Sequence, residues 1–248
     1  MENKSNIKTD KSVLFQVSLL QGLTNGDYYG SVTINELKQN GDTGLGTFDR
    51  LNGELVMLDG KVYRVAGDGS VEIVRDDETS PFAVATFIKE DVTKNLKDIS
   101  DCDSLEKELE KLIEENGKNR FYMIRIDGLF RKINVRSVPA QTEPYKRLSE
   151  VLEQQQTFFE YENIKGSVVG LYCPPYMSYL NATGWHMHFI SDDKTKGGHL
   201  LGVNIADARL AWNNIDEFHL ILPKNDVFDK FDLTVDQSKD IEKVEKNT

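Results

Sequence analysis

The sequence predicts an α+β protein, in which a mixed sheet with helices comes first and an antiparallel sheet or open barrel comes last. Three observations predict this class. Two segments before residue 155 carry apolar residues at helical spacing. A strong turn signal, Asp59-Gly60, separates two apolar stretches. After residue 164, short apolar stretches alternate with turn residues, a pattern typical of antiparallel strands.

The first hundred residues combine a short helix with a hairpin. A capping box, Thr33 with Glu36 three residues later, predicts a helix that ends before Gly41. Asp59-Gly60 is the preferred sequence of a type I′ turn, which joins two strands of a hairpin. Strands are therefore predicted on both sides of this turn and shortly after it, over residues 54–58, 61–65 and 71–74.

The middle of the chain contains both segments with helical periodicity. Residues 104–115 form the first predicted helix, which ends before Gly117. A second helix is predicted with Pro144 near its first turn. Its apolar residues are Tyr145, Leu148, Val151 and Leu152. Between the helices, residues 121–126 and 130–135 alternate in polarity and are predicted to pair as a hairpin.

The last third of the chain is predicted to be a set of strands followed by a charged tail. The predicted strands cover residues 166–172, 184–190, 198–205 and 218–222. We expect an N-terminal α+β domain over residues 13–160, a mostly-β domain over residues 161–235 and a tail over residues 236–248.

Composition excludes several classes of partner. The net charge of −11 argues against a nucleic-acid ligand, although one local arginine could still bind a small anion. No apolar run approaches the roughly 18 residues that a membrane helix needs. The N-terminus has no apolar signal segment, and Cys102 and Cys173 are the only cysteines. The sequence therefore predicts a cytoplasmic protein without disulfides.

Three of the four histidines fall within fourteen residues and predict a metal site. His186 and His188 are two residues apart, so on a strand their side chains lie on the same face. A hairpin centred on residues 193–194 would place His199 directly opposite His188. Three imidazoles with an open fourth position are typical of catalytic zinc, although iron, copper, nickel and manganese also accept such ligands. The alternative is a set of ordinary surface histidines; His219, on another strand, is predicted to be structural.

Two charged residues stand at the ends of predicted apolar strands, and their positions suggest that they contribute to function. Arg136 ends an apolar alternating segment and precedes Ser137-Val138-Pro139. Glu54 begins an otherwise apolar strand. The alternative for each residue is an ordinary solvated side chain at the end of a strand.

After residue 12 the chain resembles the α-acetolactate decarboxylase family. Four blocks carry the resemblance, and they are residues 44–60 (GLGTFDRLNGELVMLDG), 136–139 (RSVP), 166–170 (GSVVG) and 184–189 (GWHMHF) with 197–199 (GGH). The resemblance implies a homodimeric enzyme with a two-domain α+β fold that converts 2-acetolactate to acetoin and CO2. It implies one zinc ion per subunit and no organic cofactor.

The resemblance also implies roles for particular residues. The three histidines would hold the zinc, Glu54 would be a carboxylate beside the metal, and Arg136 would bind or polarise the substrate. Thr47 and Leu51 would line the pocket through their main chain. Glu245, with Glu242 as the alternative, would be a carboxylate supplied by the tail. Ile241 and Val244 are three residues apart, so they could anchor that tail as it folds back on the active site.

The proposed chemistry requires these residue types. Loss of CO2 from a 2-hydroxy-3-keto acid leaves an electron pair that spreads onto the ketone as an enediolate, which a Lewis-acidic metal would stabilise. A positioned carboxylic acid must return a proton, and an arginine fork matches the substrate carboxylate. Two alternatives stay open, namely a cupin-like metal dioxygenase or isomerase, and a non-enzymatic metal-binding module.

Overall fold

The computed structural model describes residues 12–235 and Ile241. Within these residues the helices are α1 (Leu20–Thr24), α2 (Ile34–Gln39), α3 (Cys102–Asn116), α4 (Leu148–Gln155) and α5 (Asp226–Lys230). The strands are β1 (Val13–Val17), β2 (Val32–Thr33), β3 (Thr43–Thr47), β4 (Glu54–Leu58), β5 (Lys61–Val65), β6 (Val71–Ile73), β7 (Thr79–Ser80), β8 (Ala83–Thr86), β9 (Val92–Ile99), β10 (Tyr122–Ser137), β11 (Thr157–Cys173), β12 (Gly184–Ser191), β13 (Gly197–Asn214) and β14 (Glu217–Ile221). None of the helices in this part of the chain is long and apolar enough to span a bilayer.

Two large sheets carry the fold, and the α+β class is confirmed. The seven-stranded sheet has the order β14-β1-β8-β3-β4-β5-β6, and its β1–β14 pair is parallel while its other pairs are antiparallel. The five-stranded sheet is antiparallel, with the order β10-β11-β12-β13-β9. Because β13 also pairs with β10, strands β10 to β13 close into a ring of pairings, as in a small barrel.

Separate groups of buried side chains hold the sheets and helices together. One packs α3 against the inner face of the five-stranded sheet, through residues such as Leu105 and Leu109. A second joins the two sheets, with Val56 from one and Val169 from the other. A third group, the helix cluster, joins α1 and α4 and consists of Leu20, Leu23, Tyr28, Leu51, Phe82, Val138, Leu148, Val151, Leu152, Ala182 and Ile241.

The hairpin predicted over residues 121–135 is wrong, because these residues form the single strand β10. The connection of this hairpin would fall at residues 127–129, but Gly128 lies inside the strand. A Cβ atom there would lie 2.3 Å from the carbonyl oxygen of Asp207 on β13. The glycine is therefore required for close strand approach and not for a turn.

Other predicted elements are present with different bounds. The capping box is confirmed, since the Thr33 side chain accepts a hydrogen bond from the Glu36 amide. The Asp59-Gly60 hairpin is confirmed by the pairing of β4 with β5. Strands β11 and β13 are much longer than predicted, and their additional residues, 157–165 and 206–214, still pair with β10. Helix α4 begins only at Leu148.

The sheets divide the chain differently from the predicted domains. The five-stranded sheet contains β9 and β10, which precede residue 160, together with β11 to β13. The last strand, β14, returns to the seven-stranded sheet through its pairing with β1. The domain division at residue 160 stays a prediction, and it does not coincide with the division into sheets.

Candidate active site

The three clustered histidines meet on strands β12 and β13. His186 and His188 share one face of β12, and His199 lies directly opposite His188, which confirms the predicted cross-strand pair. The Nε2 atom of His188 lies 3.1 Å from Nε2 of His186 and 3.3 Å from Nδ1 of His199. One nitrogen of each ring lies within 4.8 Å of the others, and all three side chains are buried.

Burial keeps the imidazoles of His186 and His188 neutral, with a nitrogen lone pair available. It lowers the pKa of His186 to about 3, with a further contribution from the positive charge of Arg136. Burial also lowers the pKa of His188 well below its ordinary value, and His186 adds to this effect. The Nδ1 atom of His188 donates a hydrogen bond of 2.8 Å to the carbonyl oxygen of Leu55. Because a carbonyl can only accept, Nε2 of His188 carries the lone pair.

This set of donors fits a divalent metal ion. Two nitrogen ligands of a tetrahedral zinc ion, each bonded at roughly 2.05 Å, lie about 3.3 Å apart. The separations of 3.1 and 3.3 Å around His188 match that spacing. The Leu55 carbonyl supplies the hydrogen bond that commonly orients a metal-binding imidazole through its other nitrogen.

Arg136 approaches the histidines from the neighbouring strand. It lies opposite His199 in the pairing of β10 with β13, and its side chain is only 3% exposed. Its Nη1 atom donates a hydrogen bond of 3.4 Å to Oε1 of Gln156, the residue that follows α4. The guanidinium is therefore a buried cation held beside the histidine cluster, so the alternative of a solvated surface arginine is wrong.

The seven-stranded sheet contributes the carboxylate. Glu54 begins β4, and its Oε2 atom lies 3.5 Å from Nε2 of His188. Thr47 pairs with Glu54 across β3 and β4, and its hydroxyl donates to the carbonyl oxygen of Gly53. Between them the chain makes a tight turn in which Arg50 and Leu51 both have positive φ, of 64° and 55°. Such strain in residues other than glycine is often found at functional sites.

All these side chains line one small cavity of about 40 Å³, which has room for only a few water molecules. The predicted site residues that reach it are Thr47, Leu51, Glu54, Arg136, His186, His188 and His199. Glu245 and its alternative Glu242 lie outside the described residues. His219 lies on β14, where its ring packs edge-on against Phe15, so the structure places it apart from the cluster.

The sequence prediction missed the apolar side of this cavity. It is lined by Leu20, Leu23, Phe82, Val138, Leu148 and Leu152. Leu148 and Leu152 were assigned to a helix face, but nothing in the spacing indicated that this face points at the histidines. Helix α1 was not predicted at all, since its five residues are too short for a periodic pattern.

Comparison with known proteins identifies the family. The sequence profile of the alpha-acetolactate decarboxylase family matches residues 14–235. The chain is 39% identical to the alpha-acetolactate decarboxylase of Brevibacillus brevis over 224 residues, which cover 90% of this chain and 78% of that protein. It is 34% identical to the Bacillus subtilis protein of the same name over 235 residues, covering 94% of this chain and 91% of that protein.

Solved structures give the same result. The crystal structure of alpha-acetolactate decarboxylase from Bacillus subtilis strain 168 superposes with a TM-score of 0.90 and 32% identity, covering 94% of this chain and 99% of that one. A Staphylococcus aureus protein of unknown function, described as similar to alpha-acetolactate decarboxylase, has a TM-score of 0.86 and 30% identity, covering 95% of this chain and 99% of that one. The chain belongs to the alpha-acetolactate decarboxylase family.

Proposed function

We propose that this protein is a metal-dependent carboxy-lyase that decarboxylates 2-acetolactate to acetoin and CO2. One observation carries the proposal. One small cavity is lined by three buried imidazoles, one carboxylate and one arginine. Membership of a family of carboxy-lyases supports the same reaction.

His186, His188 and His199 would hold one divalent ion per subunit, and we propose zinc. When bound, the ion supplies a Lewis acid that draws electron density from the oxygens of the substrate. Because burial holds the pKa values of His186 and His188 low, protons compete little with the ion for these two imidazoles.

Arg136 would bind the carboxylate of the substrate. Among the described residues that line the cavity, it alone carries a fixed positive charge. Its planar fork can donate two parallel hydrogen bonds to a carboxylate. As CO2 leaves, the negative charge moves from the carboxylate towards C2 and the ketone. The arginine therefore binds the neutral product more weakly than it binds the anionic substrate.

A carboxyl group must return a proton to C2 after CO2 has left, and two glutamates are proposed to share this task. Glu54 lies in the cavity beside His188. Glu245 is the second candidate, with Glu242 as the alternative. The position of Ile241 supports a role for the tail, because this residue is 5% exposed within the helix cluster, most of whose members line the cavity.

The two alternative functions have less support. A cupin-like site usually adds an acidic ligand a few residues after the second histidine, but Asp192, the acidic residue at that distance from His188, is exposed in the β12–β13 turn. A module that only stores metal has no use for a buried arginine beside its ligands. The homodimer and the cytoplasmic location stay predictions.

Two measurements on the purified protein test the proposal. Incubation with 2-acetolactate should release CO2 and acetoin in equal amounts, and elemental analysis should find about one divalent ion per subunit. His186→Ala and His199→Ala should each lose the ion and the activity, because two imidazoles bind far more weakly than three. His219→Ala is the matched control and should keep both.

The possible outcomes separate the alternatives. Full metal content in both His186→Ala and His199→Ala would exclude the three-histidine site. A parent protein that carries the ion yet releases no CO2 from 2-acetolactate would contradict the proposed reaction while leaving the metal site intact.

A further inference from the structure

The cavity has a polar side and an apolar side, and different elements build them. The polar side chains come from strands, with Glu54 on β4, Arg136 on β10 and the histidines on β12 and β13. The apolar side is largely helical, because α1 contributes Leu20 and Leu23 while α4 contributes Leu148 and Leu152. Water can form few hydrogen bonds in such an apolar recess, so the recess favours a hydrocarbon group of a ligand.

Helix α4 presents one defined face to the cavity. Leu148 and Leu152 are four residues apart, so their side chains lie one above the other. They are 5% and 6% exposed, and both line the cavity. Val151 belongs to the same helix and the same buried cluster, yet it does not line the cavity. The leucine face therefore forms a wall, and the neighbouring valine is part of its support.

The wall lies next to the group that binds the substrate carboxylate in the proposed function. Gln156 follows α4 directly, and its Oε1 atom accepts a hydrogen bond from Nη1 of Arg136. The carboxylate and the alkyl group of the substrate are attached to the same carbon, C2. When the carboxylate lies at Arg136, the C2 alkyl group is one bond from the carbon that the arginine anchors, whereas the methyl group of the ketone is two bonds away, so the alkyl group is the one assigned to the wall.

We infer that Leu148 and Leu152 determine which alkyl group on C2 the enzyme accepts. This inference rests on the proposed function and deepens it. The parent protein selects the methyl group of 2-acetolactate over longer chains, because Leu148 and Leu152 are themselves buried in the helix cluster and a longer chain would have to displace one of them. The selected substrates are thus 2-alkyl-2-hydroxy-3-keto acids with a small C2 substituent.

The test compares two substrates that differ by one methylene on C2. They are 2-acetolactate and 2-ethyl-2-hydroxy-3-oxobutanoate, and the ratio of their kcat/KM values is measured for the parent protein and for variants. One methylene in an apolar pocket is worth about a 10- to 200-fold discrimination. Leu152→Ala and Leu148→Ala should therefore each shift the ratio towards the ethyl substrate by about tenfold. Val151→Ala removes a buried side chain from the same helix and should leave the ratio within about twofold of the parent.

A binding measurement makes the test independent of turnover. The corresponding 2,3-dihydroxy acids lack the ketone and cannot lose CO2, so calorimetry can give the ratio of their Kd values in the parent and in each variant. The Kd ratio should shift in the same direction as the kcat/KM ratio. If the parent binds these acids but does not decarboxylate 2-acetolactate, the proposed function fails, and the Kd ratio still decides whether α4 sets the size limit.

Several results would overturn the inference. Folded Leu152→Ala and Leu148→Ala proteins whose ratios stay within about twofold of the parent would exclude the wall. An equal shift for 2-hydroxy-2-methyl-3-oxopentanoate, which carries the extra methylene on the ketone side, would exclude the assignment to C2. If an alanine variant does not fold, Leu152→Val replaces it, and a ratio unchanged from the parent in that variant would count against the inference.

Discussion

Arg136 is buried at the end of β10, and its guanidinium is the single permanent cation among the described residues around the cavity. If it binds the substrate carboxylate through two hydrogen bonds, a lysine cannot replace it, because an ammonium group lacks the planar fork. We predict that Arg136→Lys lowers kcat/KM for 2-acetolactate at least about tenfold, which steady-state kinetics would measure.

A second arginine on the same strand serves as the control. Arg131 pairs with Asp98 on the protein surface, so Arg131→Lys should leave the kinetics unchanged. An Arg136→Lys protein with activity within about twofold of the parent would rule out bidentate binding.

Glu54 offers a second test at the scale of single residues. Its Oε2 atom is 3.5 Å from Nε2 of His188. A glutamine in its place would keep the shape of the side chain while removing the carboxyl group that can give or accept a proton. We predict that Glu54→Gln retains the metal ion and lowers kcat by about 100-fold, since a positioned acid or base contributes at least that much. Glu160→Gln, on exposed β11, is the control. A Glu54→Gln protein with unchanged kcat would transfer the proton donation to the tail.

The histidines were predictable from sequence, and the apolar lining was not. A strand period of two puts His186 and His188 on one face. Because the turn of a hairpin fixes its register, the position of His199 opposite His188 could be calculated from the residue numbers. Leu148 and Leu152 lie near the histidines only because α4 packs against α1. That contact depends on tertiary structure, for which the local spacing of leucines contains no information.

At the scale of elements, Gly128 is a position where β10 and β13 approach closely. A Cβ atom there would meet the Asp207 carbonyl oxygen at 2.3 Å and the Ala208 Cα atom at 2.5 Å. We predict that Gly128→Ala lowers the free energy of unfolding by about 2 kcal/mol, because backbone atoms of β13 must move. Urea unfolding followed by circular dichroism would measure this change.

Gly60 provides the comparison. It has a φ of 71° in the β4–β5 turn, and a Cβ atom there would meet nothing within 4 Å. Gly60→Ala should therefore cost only the strain of the left-handed conformation, about 1 kcal/mol. Gly60→Ala destabilising the protein more than Gly128→Ala would contradict the proposed importance of close strand approach.

Gly128 also explains why a hairpin was predicted where the protein has the single strand β10. Asp59-Gly60 forms a hairpin turn, whereas Asp127-Gly128, between the two strands of the predicted hairpin, lies inside β10. Both pairs look alike in a single sequence, since glycine permits a turn and also permits two backbones to approach. Only the presence of β13 beside β10 decides between them.

At the scale of the whole molecule, the site depends on segments far apart in the chain, and the tail is predicted to be one of them. Truncation after Lys239 and, separately, Glu245→Gln should leave metal binding and the folded state intact while turnover falls about tenfold or more, because a donor carboxyl is lost. Kinetics with elemental analysis and thermal melting would check each variant. Glu160→Gln, on exposed β11, is the control, and Glu242→Gln tests the alternative carboxylate. Undiminished turnover in the truncated protein would leave Glu54 or a water molecule as the proton donor.

The association of the two large sheets was beyond prediction from sequence alone. Glu54 and Leu55 belong to the seven-stranded sheet, and the histidines belong to the five-stranded sheet. The two sheets meet through apolar side chains such as Val56 and Val169, whose alternation predicts burial but not the partner. The site residues could thus be named individually, whereas the order of strands that brings them together could not.

The parallel pairing of β1 with β14 has a consequence for synthesis of the protein on the ribosome. Val17 at the end of β1 and Ile221 at the end of β14 are 221 − 17 = 204 residues apart, and at typical elongation rates the second follows the first by roughly 10 to 40 s. During this interval the outer edge of β1, with the apolar sequence VLFQV, has no strand to pair with. Until β14 leaves the ribosome, the nascent chain consequently exposes an unpaired strand edge, which is a template for association with other chains.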